Sequence, residues 1–220
     1  MRRNIAALFL LIITTVIAQA QTPRASQPII PENELTGMNG PSARALRAGN
    51  EAMVARQYDE AIKLYDEGIA LAPKQAAFWA NKAAAHLGRG TAGYNAALLI
   101  PEQILKRSRM EDARKDFREA TNAVNKASAL INALTAPSEP VALRNFESQK
   151  LMILRLRASA LWLMVTKVDA SYAADGLAAF HDYINAETDS FRKGQSQLLA
   201  AQMLLELNHS ALKVQRFERD

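Results

Sequence analysis

Between residues 42 and 86 the chain repeats itself at an interval of 34 residues, and nothing else in it constrains the fold as strongly. Trp79, Lys82, Ala83 and His86 follow Ala45, Ala48, Gly49 and Ala52 at that interval, and Ala61, Tyr65 and Pro73 lie between the two sets. A period of this length is that of a helix–turn–helix unit. Such a unit cannot bury its own apolar side, so it needs a neighbour, and stacked units leave a concave wall suited to another polypeptide. The expected fold is all-α, a solenoid of about three to four helix pairs.

The first pair is expected over residues 42–55 and 58–71. Asp59 and Glu60 open its second helix, where carboxylates favour the positive end of the helix dipole. Ala61, Ile62, Tyr65 and Ile69 supply its buried stripe, and Pro73 stops it. The second pair starts at Ala76 but is interrupted. Its second helix should present apolar partners at positions 95 and 99, and the best match, Ala113 and Phe117, comes 18 residues late. Residues 88–108 therefore read as an insertion in the second repeat, an open turn in which Gly88, Gly90, Gly93 and Pro101 break the helix. A helix over 109–134 follows, so the two repeats occupy 42–134. Residues 141–220 read as degenerate helical repeats: a pair over 141–168 and 172–184, then a pair over 190–207 and 211–219.

Upstream, residues 1–20 have the form of a secretory signal peptide. Arg2 and Arg3 precede an apolar run, and Ala18-Gln19-Ala20 matches a small-x-small cleavage site. The run is short of the ~20 residues that span a bilayer, so no membrane span is expected after cleavage. The expected location is exported: periplasmic, in the cell envelope, or secreted. Residues 21–41 carry four prolines and no helical period, which reads as a flexible lead-in. The pair Ile29-Ile30 inside it offers an alternative, a short extended strap docked on the helices.

With no cysteine in the chain, disulfides, thiolate metal sites and Cys nucleophiles are excluded. After cleavage, 25 basic residues face 22 acidic ones, a balance of +3 too small and too scattered for nucleic acid. Gly88-Arg89-Gly90-Thr91-Ala92-Gly93 spells G-x-G-x-x-G, but a helix rather than a strand precedes it, which removes the dinucleotide reading. Of the three histidines, His86, His181 and His209, no two share the four-residue spacing that would hold a metal on one helical turn. His86 reads as a core or groove-lining residue. No cofactor and no metal are expected, and the chain does not read as an enzyme.

The residues at the 34-residue interval resemble those of the tetratricopeptide repeat family. The resemblance is carried most fully by residues 42–87, less by 110–120 and least beyond Pro140. Ala45 departs from it, since the family places a large aromatic there. One branch of the family binds the C-terminal carboxylate of a partner peptide, and Asn50 and Asn81 are similar to the asparagines that hydrogen-bond the peptide there. Leu46 stands where that branch has a basic residue. The third-repeat basic positions fall near Met152 and Leu156, with Arg155 and Arg157 adjacent. The resemblance implies a groove lined by Leu46, Asn50, Asn81, Ala84 and Arg157 that binds a protein or peptide segment. The alternative is a structural envelope component that self-associates as a homo-oligomer, with no peptide groove in use.

Overall fold

The computed structural model describes residue 30 and residues 40–217, with the backbone alone for 209–217. The signal-peptide reading, and all of the lead-in except Ile30 and residues 40–41, lie outside the described residues. Those described are mostly helical, with no strand among them. The order is α1 (Gly40–Val54), α2 (Tyr58–Leu71), α3 (Ala76–Leu98), α4 (Gln103–Asn132), α5 (Pro140–Leu163), α6 (Ala173–Ala186) and α7 (Ser190–Phe217). A π-helical turn, Met164–Val168, and a 3-10 turn, Ala170–Tyr172, join α5 to α6. Among the described residues no helix is long and apolar enough to cross a membrane.

Local chemistry explains most of the boundaries. α2 begins with Asp59 and Glu60 in its first turn and stops two residues before Pro73. α4 and α5 are capped by carboxylates: Glu102 accepts from the Ile104 and Leu105 amides, and Glu139 from those of Val141 and Ala142. Between α1 and α2 the turn closes as a Schellman motif. Gln57 N–H donates to the Ala52 carbonyl and Arg56 N–H to that of Met53, with Arg56 in the left-handed region at φ 59.

Consecutive helices pack side by side, and α3 also touches α1 and α5. One apolar cluster joins Ile30 to α1–α5 through Leu46, Tyr65, Phe78, Phe117 and Ile153; a second, smaller one joins α5, α6 and α7 through Leu161, Phe180, Tyr183 and Met203. α3 contributes mostly alanines to the first, so its neighbours can approach closely.

Two sequence expectations are overturned. The first concerns residues 88–108, which are not an open turn: α3 runs unbroken through Gly88, Gly90 and Gly93 to Leu98, and α4 begins at Gln103. The glycines are there because other side chains press on them. A Cβ on Gly88 would lie 2.5 Å from the Tyr58 ring, and one on Gly90 would lie 2.8 Å from that of Phe117. Contact of Gly90 with Phe117 also sets the antiparallel register of α3 and α4. Ala113 and Phe117 are buried on α4, and Ala120 and Val124 continue the same buried side. Extra residues have lengthened both arms of the hairpin. The second correction is at the end of the chain, where α7 is one helix to Phe217 in place of a pair broken near residue 208.

Candidate functional site

The lengthened arms and the packing of α1 on α3 place two polar sites on the first two helix pairs. The smaller lies between α1 and α3. Asn81 is fully buried on α3, and its carboxamide grips the backbone of Ile30 in both directions. Ile30 N–H donates to Asn81 Oδ1 at 3.1 Å, and Asn81 Nδ2 donates to the Ile30 carbonyl at 3.2 Å. The second hydrogen of Nδ2 goes to Asn50 Oδ1 at 3.0 Å. That oxygen also accepts from the Tyr65 hydroxyl at 2.9 Å, and burial pushes the Tyr65 phenol above its usual range. Each amide orientation is fixed by what its partners can donate or accept.

The N–H and C=O of Ile30 are both turned to Asn81, the two-way pairing that facing residues make in an antiparallel ladder. The Asn81 carboxamide takes the place of the facing strand. It reads a backbone and is indifferent to the side chain on it. Selectivity comes from the Ile30 side chain, which is fully buried in the same cluster as Leu46 and Ala84. In the sequence, Pro31 follows Ile30, and a residue before proline is held in the extended region. In the structure Ile30 lies at a bend, with its N–H and C=O both held by Asn81. The Ile30-Pro31 dipeptide was the signal that could have singled out the strap reading of Ile29-Ile30.

Of the five expected groove residues, Asn50 and Asn81 are hydrogen-bonded to each other here, and Leu46 and Ala84 belong to the buried cluster that also holds Ile30. Arg157 is not brought to them. Its guanidinium faces α4 and α6, with Asn125 Oδ1 and Asp182 Oδ2 each at 3.3 Å, and it lines a separate groove of about 490 Å³.

The larger polar site spans α2, α3 and α4 along a groove of about 680 Å³. His86 Nδ1 lies 2.9 Å from Asp116 Oδ1, and both residues are buried. Arg89 forks onto the same carboxylate, Nε to Oδ2 at 3.0 Å and Nη2 to Oδ1 at 2.6 Å, while its Nη1 pairs with Asp59 of α2. Burial alone would raise the Asp116 carboxyl, but the hydrogen bonds from His86 and Arg89 together outweigh it and hold the group below the usual carboxylate range. The hydrogen bond to Asp116 raises Arg89 further above its already high value. Lys82 adds a pin to Asp66 at 2.6 Å. These groups satisfy one another across three helices, so the cluster acts as a clasp on the hairpin. Sequence reasoning placed His86 in a core or groove wall but missed Asp116 and Arg89. Only the register of the lengthened hairpin brings them together. Among the described residues no group of three or more His, Asp or Glu stands arranged to hold a metal ion.

No protein-family model, no curated protein and no solved structure significantly matches this chain.

Proposed function

We propose that the chain is an exported scaffold of the tetratricopeptide-repeat type that holds an extended polypeptide segment in the groove between α1 and α3. The observation that carries this reading is the two-way hydrogen bonding of Asn81 to the Ile30 backbone, with the Ile30 side chain sealed beneath it. A site that grips Ile30 by its main chain offers the same bonds to another residue with a free N–H, a free C=O and an aliphatic side chain. The order of α1 to α6 as three successive pairs, with first helices α1, α3 and α5 in contact, supports the solenoid reading. The leader-like residues 1–20 support export to the periplasm or envelope. In this reading Ile30 occupies the groove until a partner segment displaces it.

A labelled peptide copying residues 26–34 tests the reading by fluorescence anisotropy. Full-length chain carrying Ile30→Asp, whose own strap can no longer bury its side chain, is expected to bind the peptide. Adding Asn81→Ala removes two backbone hydrogen bonds, each worth about 1 kcal/mol, and should weaken binding roughly tenfold or more. Failure of the Ile30→Asp chain to bind the peptide would remove the groove as a binding site.

A further inference from the structure

The last helix carries an unpartnered seam. One side of α7 is turned to α5 and α6 through Met203, Leu199 and Leu207. On the opposite side Phe191, Leu198 and Leu205 follow one another at intervals of seven residues, with 73%, 48% and 69% of their surface exposed. Three residues after each come Gly194, Ala201 and Asn208. An apolar repeat of seven with a second position three residues on is the seam of a two-helix coil. Gly194 adds an independent sign. Elsewhere in the helices Gly49, Gly68, Gly88, Gly90 and Gly176 each lie beneath a bulky side chain, whereas a Cβ on Gly194 would meet nothing within 4 Å. A glycine inside a helix costs about 0.5–1 kcal/mol relative to alanine, and among the described residues nothing presses on Gly194 to offset it.

We propose that α7 pairs antiparallel with α7 of a second copy, and that the partner's Leu205 fills the space over Gly194. The pattern is complementary to itself. With the two-fold axis midway between residues 199 and 200, Gly194 meets Leu205 of the partner subunit, and Leu198 meets Ala201 of the partner subunit. Phe191 then lies over the partner's Asn208. Large residues face small ones at the first two layers, the arrangement an isologous interface requires. A parallel pair would set glycine on glycine and leave a void. Gln195, Gln197 and Gln202 flank the seam, so no like charges are forced together across the axis. This inference is independent of the groove reading.

Sedimentation equilibrium of the full-length chain should show a concentration-dependent dimer. Gly194→Leu should weaken association roughly thirtyfold or more, because the clash is met twice across the axis. It should leave the monomer's melting temperature unchanged or raised, since the site is open in a single chain. The chain has no cysteine of its own. Gly194→Cys with Leu205→Cys should therefore cross-link two copies on oxidation. Gly194→Cys alone should not, its two copies lying about 16 Å apart along the helices. A chain monomeric at high micromolar concentration, a dimer indifferent to Gly194→Leu, or cross-linking by Gly194→Cys alone would each overturn the proposal.

Discussion

Glycine at position 88 or 90 looks like a helix breaker by local propensity, yet each is required by the helix it sits in. Alanine would serve an isolated α3 better. In the folded chain its Cβ would drive into the Tyr58 or Phe117 ring, and ring and backbone would have to move apart. Gly88→Ala and Gly90→Ala should each destabilise the protein by about 1–3 kcal/mol in thermal or urea unfolding, against the propensity trend. Asp116 sets a pH dependence. Its folded carboxyl is held below the value near about 4 that it regains on unfolding. Its contribution to stability is complete above that unfolded value and is lost as the pH falls through the lower folded one. Asp116→Asn should therefore lower stability at neutral pH by about 1–3 kcal/mol and flatten the loss of stability below pH ~4. Unfolding curves recorded across the acid range check both.

Among the elements, the lengthened α3–α4 hairpin separates what the sequence showed from what it concealed. α2 was legible at both ends because Asp59, Glu60 and Pro73 act locally. The far part of α3 was not, because its glycines answer to Tyr58 on α2 and Phe117 on α4, residues distant in sequence. The break expected near residue 208 rested on the repeat-like spacing of Ala201, Leu204, Leu205, Asn208 and Phe217; the residues between the expected helices include neither glycine nor proline, and the helix continues through them. The hairpin's arm is braced from the side: Arg114 Nε donates to the Lys167 carbonyl at 2.8 Å, and Lys167 Nζ lies 5.9 Å from the Tyr94 ring centre. Its end carries exposed Leu99 and Ile104, and there the Glu102 cap supplies the order. Glu102→Ala should speed hydrogen exchange at the Ile104 and Leu105 amides while leaving that of Phe117 unchanged.

For the whole molecule, the 34-residue interval gave the all-helical class and the position of α1–α3. It also singled out Asn50 and Asn81, on α1 and α3, which the structure shows hydrogen-bonded to each other. Arg157 lies beyond the lengthened hairpin, where the interval no longer holds, and there its register could not be read. What the sequence left open was whether the lead-in leaves the groove free, since one buried aliphatic residue and one amide decide it. The proposed groove depends on that contact. Hydrogen exchange at the Ile30 amide, followed by NMR in the full-length chain, tests it most directly. The Ile30 N–H should be protected to the level of amides inside α3, and Asn81→Ala should abolish that protection. An Ile30 amide exchanging at the rate of an unstructured chain in the wild type would contradict it.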